Sequence, residues 1–178
     1  MKTHAADWAP EAPTPAQLKE LFAQIASGRV TKQKMQTLLA IEKKAEALVP
    51  VPLKYDKTKD GWTRLEHVEF YGQPFTPEMV EFLKQGESSV NGEVMKQRAK
   101  ELNAHLGQGH AEYLLENQHL IPAEYRGNYL VFPGTVWQGS DGDRYVPYLS
   151  WDGGRWCLDF DWLGDGWDDD GRLVRLRK

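Results

Sequence analysis

The run Tyr145-Val146-Pro147-Tyr148-Leu149-Ser150-Trp151-Asp152-Gly153-Gly154-Arg155-Trp156-Cys157-Leu158-Asp159-Phe160-Asp161-Trp162 decides the fold class. Two alternating stretches flank a Gly-Gly pair, and a two-residue loop of that composition is a hairpin turn. Asp152 then faces Arg155, Trp151 faces Trp156, Leu149 faces Leu158, Pro147 faces Phe160 and Tyr145 faces Trp162. The last four pairs place eight apolar or aromatic residues on one face. The other face carries Ser150, Cys157, Tyr148, Asp159, Val146 and Asp161. A slip of one residue on either strand would mix the two sets, so the pattern specifies its own register. Residues 128–132 and 172–176 read as further strands, with turns at Asp141-Gly142 and Asp170-Gly171.

Upstream, the pattern turns helical. Thr14 as N-cap, Pro15 at the first helical position and Gln17 three residues after the cap open a helix whose apolar face is Leu18, Leu21, Phe22 and Ile25, with Gly28 at its end. A second helix follows, capped by Thr31, with Val30 placed to staple against Met35, and with Leu38 and Leu39 on its apolar side. After Pro50-Val51-Pro52, residues 51–55 and 62–71 suggest a hairpin around Lys59-Asp60-Gly61. Phe75-Thr76-Pro77-Glu78 carries a helix-start grammar, with Phe75 placed to staple against Val80 and Gly86 past the end. Residues 92–106 give another helix, lined by Val94, Met95, Ala99, Leu102 and Leu106 and stopped by Gly107. A last one spans about 110–120 and ends before Pro122.

The expected class is α+β: an N-terminal helix pair and a helical middle packed on a C-terminal antiparallel sheet. The expected layout is a mobile Pro-rich arm at 1–13, a helix-turn-helix-like pair at 14–49, and an α+β domain at 50–178 with its sheet at 128–177. The helices from 77 to 120 are expected to cover the sheet's apolar face. No period of 20 to 50 residues repeats, which argues against a solenoid or propeller.

Of the 178 residues, 27% are charged and 40% hydrophobic, with one Cys, seven Trp and a net charge of -4. This composition excludes disorder of the whole chain and is that of a globular protein. The start lacks an apolar signal core, no apolar run could span a bilayer, and the lone Cys157 cannot form an internal disulfide, so the expected location is the cytoplasm. Net charge runs +2 over residues 1–50, 0 over 51–100 and -6 over 101–178, and five of the seven Trp lie beyond residue 136.

Asp159 and Asp161 stand two apart, so in a strand both carboxylates leave one face, as a hard-cation site requires. An EF-hand match through Gly164 and Asp170 fails at Leu163, lacks the closing Glu, and has no following helix. A solvated sheet face with Asp/Gly turns explains the acids better. His105, His110 and His119 with Glu112 could assemble a zinc site, but the spacing across Gly107 and Gly109 is not helical, and interhelical or surface histidines are the preferred account. Cys157, among acids, reads as an unreactive thiol. There is no G-x-S-x-G, P-loop or G-x-G-x-x-G. Arg29, Lys32, Lys34, Lys43 and Lys44 gather on the helix pair and could contact phosphates, with Gln33, Gln36 and Thr37 near base edges. Of the five Trp beyond residue 136, Trp137 and Trp167 are left over from the hairpin core and are candidate exposed anchors.

The runs from Arg126 to Arg177 and from Met95 to Pro122, with Ser27-Gly28-Arg29-Val30-Thr31, resemble a group of uncharacterised bacterial proteins sharing a Trp/Asp-rich C-terminal region. That resemblance implies a recurring architecture and no function. The helix pair alone looks similar to short helix-turn-helix segments of tRNA- or DNA-binding proteins. The expected function is a non-catalytic binding or adaptor protein with a protein partner, no cofactor and no membrane. The alternative is nucleic-acid binding through the basic helix pair, and the lesser alternative is a metal-dependent hydrolase using Asp159 and Asp161.

Overall fold

A computed structural model describes residues 15–28, 31, 33–37 and 49–177. The chain divides into two units, Met1–Glu46 and Ala47–Lys178. In the first, helix α1 spans Pro15–Ala26. Residues 33–37 are helical, and the Lys34 N–H donates to Thr31 Oγ1 at 3.3 Å, so Thr31 is the cap that its sequence position implies. Thr14, Val30, Leu38 and Leu39 lie outside the described residues, as does the arm at 1–13.

The second unit is built on a seven-stranded sheet. Its strands are β1 (Thr63–His67), β2 (Pro77–Val80), β4 (Tyr129–Val131), β5 (Thr135–Gln138), β6 (Arg144–Asp152), β7 (Arg155–Trp162) and β9 (Gly171–Leu176). Spatial order is β1-β5-β6-β4-β9-β2, with β7 on the other side of β6. A separate two-stranded ladder joins β3 (Ser89–Asn91) to β8 (Gly166–Asp168). The β6/β7 register is the one read from the sequence, from Tyr145 opposite Trp162 to Asp152 opposite Arg155. Gly153 and Gly154 both have positive φ, +56° and +89°, which matches the right-handed twist of the strands they join. Gly154→Ala is therefore expected to destabilise by about 1–2 kcal/mol, measured by urea denaturation, because a Cβ is disfavoured in that region.

Both faces of this sheet are covered. Helix α2 (Gly92–Glu101) sets Met95 and Ala99 against Val131, Val136, Val146 and Leu173. Helix α3 (Gln108–Glu116) sets Ala111 and Leu114 against Leu130, Leu149, Trp156 and Val174. Neighbours such as Leu173 and Val174 thus enter opposite cores, as strand geometry demands. Val146, assigned by alternation to a polar face, is fully buried for this reason. The α+β class stands, but the unit is richer in strand than expected, and its sheet is antiparallel except for the parallel pair β4/β9.

Three local expectations are corrected. Residues 77–80 form a strand, not a helix, because β9 offers a full ladder and Arg175 grips Glu78 across it at 2.7 and 2.9 Å. Pro77 opens this edge strand, where a missing N–H is tolerated. Residues 51–55 form no strand: Asp56 instead caps a 3-10 turn over Lys57–Asp60, and β1 pairs with β5 rather than with its predecessor. Helix α2 ends at Glu101, short of Leu106, because the chain crosses there from one face of the sheet to the other. Leu102 packs in the first core and Leu106 in the second, and Asn103 turns through φ +54° between them.

Candidate functional site: a cleft along the free edge of β7

Strand β7 pairs only with β6, so its outer edge is free of strand partners among the described residues. A cleft of about 440 Å³ follows this edge from Arg155 to Leu158, and a second of about 330 Å³ continues it to Phe160. The two share Lys54, Tyr55 and Leu158. One wall is β7; the other is the 54–60 segment and the end of α3.

That second wall is held by a buried polar network. The Glu112 carboxylate, 5% exposed, accepts the N–H of Lys54 at 2.8 Å and of Tyr55 at 3.1 Å. Gln108 Nε2 donates both to Glu112 at 2.8 Å and to the Tyr55 carbonyl at 2.9 Å, while Gln108 Oε1 accepts the Trp137 indole N–H at 2.7 Å. Each buried polar group is thereby satisfied, which makes the wall rigid rather than a floating loop. Lys54 also pairs with Glu116. At the far end Lys57 Nζ lies 4.8 Å from the Trp62 ring centroid and 5.3 Å from that of Phe160.

The edge carries its own polar covers. The Trp156 N–H donates to Gln118 Oε1 at 2.8 Å, and Gln118 Nε2 donates to the Trp156 carbonyl at 3.2 Å. A side-chain amide so placed takes both bonds that a neighbouring strand would take. Because outward backbone groups recur every second residue, those of Leu158, Phe160 and Trp162 face the same way as those of Trp156. The Phe160 N–H is taken by Asp159 Oδ1 and the Trp162 N–H by Asp161 Oδ1, each at 2.8 Å. The Leu158 N–H and carbonyl have no hydrogen-bond partner among the described residues. Asp159 and Asp161 therefore project from one face as expected, and in this structure each covers the adjacent edge amide. Among the described residues no group of three or more His, Cys, Asp or Glu is placed to hold a metal.

Other sequence candidates are dispersed. Trp137 is fully buried and Trp167 is 6% exposed, so neither is an exposed anchor: Trp137 lies in an inner strand with both faces covered, and Trp167 packs in the α2 core. Lys34 is exposed, while Arg29, Lys32, Lys43 and Lys44 lie outside the described residues. His110 is buried against Phe70, His105 bridges to Val174, and His119 is exposed on a 3-10 turn. Cys157 is half-buried opposite Ser150 and borders the cleft.

A second polar chain links Glu69, His67 and Thr135. Glu69 lies 3.3 Å from His67 Nε2, and His67 Nδ1 lies 2.8 Å from Thr135 Oγ1. This has the order of an acid, base and nucleophile relay. Thr135, however, is fully buried and its oxygen also accepts the Gln108 N–H at 2.8 Å, so no substrate reaches it. It pins the start of α3 to β1 and β5. Gly107, the N-cap of α3, allows this approach: a Cβ there would lie 2.4 Å from the Val68 carbonyl oxygen.

Gln118, Gln108, Glu112 and Tyr55 were not singled out as site residues by sequence reasoning, apart from Glu112 as a companion of the histidines. The only local signal was Gln108 and Glu112 four apart, on one face of a helix. Comparison of the chain with protein-family models, curated proteins and solved structures gave no match. Among the described residues no helix is long and apolar enough to cross a membrane.

Proposed function

We propose that this protein is a non-catalytic adaptor that takes an extended segment of a partner protein into the cleft along β7, adding it to the sheet as a further strand. The observation that carries this reading is the Gln118 carboxamide on Trp156: it occupies the place of a neighbouring strand, beside an unpartnered Leu158 and in front of a rigid wall. Strand addition draws affinity from main-chain hydrogen bonds and specificity from pockets for alternate side chains. The cleft volumes are within the range of about 300–1,000 Å³ common to ligand sites.

A displayed library of short peptides, panned on the full-length protein, tests the reading. Amides of a bound strand face β7 only at every second residue. N-methylation of the selected peptide should therefore weaken binding at one parity and leave the other nearly unchanged; equal effects at both parities would refute strand addition. Gln118→Ala removes the resident competitor. It is expected to lower stability by about 1 kcal/mol while tightening peptide binding, read by calorimetry.

A further inference from the structure

We infer that the cleft selects a segment in which apolar residues alternate with lysine or arginine, because only a cation draws Asp159 and Asp161 off the edge amides that they cover. This inference rests on strand addition at β7. A residue placed opposite Leu158 shares the face of Trp156, Leu158 and Phe160, beside Leu115 and Tyr55, and has this apolar surface to pack on between the charged side chains that also line the clefts, among them Lys54, Lys57 and Glu116. The residues one and three places along from it, toward Trp162, fall on the other face, opposite Asp159 and Asp161, which are exposed there beside Tyr148. The concentration of acid on that face is registered by Tyr148 itself, whose hydroxyl is pushed up to about 12 by burial and then by the charges of Asp159 and Asp161.

The carboxylates have two roles. With no ligand present, they close the Phe160 and Trp162 amides to any neutral strand, a defence against edge-to-edge aggregation. A basic side chain competes for the carboxylate, and the freed amide then pairs with the incoming backbone. A neutral segment must displace the carboxylate without compensation, and an acidic one is also repelled.

The test uses the full chain and three labelled peptides of alternating valine and leucine with lysine, glutamine or glutamate between them, at concentrations where each is monomeric. Fluorescence anisotropy should rank lysine over glutamine by about tenfold, the sum of two exposed ion pairs, with glutamate weakest. Raising salt should narrow the gap. The double variant Asp159→Asn with Asp161→Asn keeps an oxygen for each amide but loses the charge, and should bind the lysine and glutamine peptides alike. Equal binding of all three peptides by the unaltered protein, with the N-methylation parity intact, overturns this inference and leaves strand addition standing. No binding of any peptide overturns both. So does a concentration-dependent dimer, seen by sedimentation and broken by Leu158→Pro, since the occupant would then be a second copy of this chain.

Discussion

Trp156→Ala is expected to lower the unfolding free energy by about 3–5 kcal/mol, the range for deleting a large aromatic side chain from a packed core. The ring is 2% exposed and packs edge-to-face on Trp151, with centroids 5.7 Å apart and planes at 71°. Leu114 of α3 and Leu149 of β6 complete its surroundings. The hole left behind would be closed on one side by the sheet and on the other by α3, so little collapse can fill it. Trp162→Ala provides the contrast, since this ring at the far end of the same strand is 43% exposed. Its loss should be no more than about 1 kcal/mol. Urea denaturation of both variants measures the difference, and similar losses would mean that Trp156 is not buried between the sheet and α3 while Trp162 stands exposed. Because Trp156 also borders the cleft, its removal should weaken peptide binding as well, whereas Trp162→Ala should leave a stable chain in which binding can be read alone.

Acid is expected to destabilise the second unit through His110. Burial against Phe70 and Phe75 pushes this imidazole down to about 4, and its Nδ1 accepts the Gly107 N–H at 3.3 Å, a bond that only the neutral ring can make. The folded pKa lies below that of the unfolded chain, about 6.5, so between these values the unfolded state binds the extra proton. The contribution is complete above pH 6.5, falls as pH drops toward 4, and changes no further below that. Between pH 7.5 and 4.5 the loss is about 2–3 kcal/mol, from 1.36 kcal/mol per pKa unit. Burial also lowers the pKa of His67 and His105, which adds in the same direction. The measurement is urea denaturation across this pH range for the unaltered chain and for His110→Phe, which keeps an aromatic ring but cannot titrate. A smaller pH dependence in the variant is the expected result; identical curves would show that the imidazole is not the origin. Since α3 supplies Glu112 and the 54–60 wall hangs from it, peptide binding should fail over the same pH window.

The hairpin was legible because its information is local. A two-residue glycine turn leaves one register, and alternation of Trp, Leu and Phe with Ser, Cys and Asp says which side is which. The caps at Thr31 and the helices around Met95 and Ala111 were legible for a similar reason, since periodicity and capping act within a few residues. The strand at Pro77–Val80 was not. Its residues obey helix-start rules, whose worth is about 1 kcal/mol, and those rules lose to a ladder with β9 that joins segments nearly a hundred residues apart. The cleft was illegible for the same cause. Gln118 meets Trp156 across 38 positions, and Glu112 meets Lys54 across 58.

By itself the sequence determined the class, the β6/β7 register, and the placing of Asp159 and Asp161 on one side of an acidic strand. Those are short-range consequences of side-chain alternation and turn chemistry. Only the tertiary structure decided that β7 is an edge, that α2 and α3 cover opposite faces of the sheet, and that the two carboxylates lie over backbone amides beside a walled cleft. Such facts depend on which distant segments satisfy one another's buried polar groups and apolar surface, and no local pattern encodes that choice.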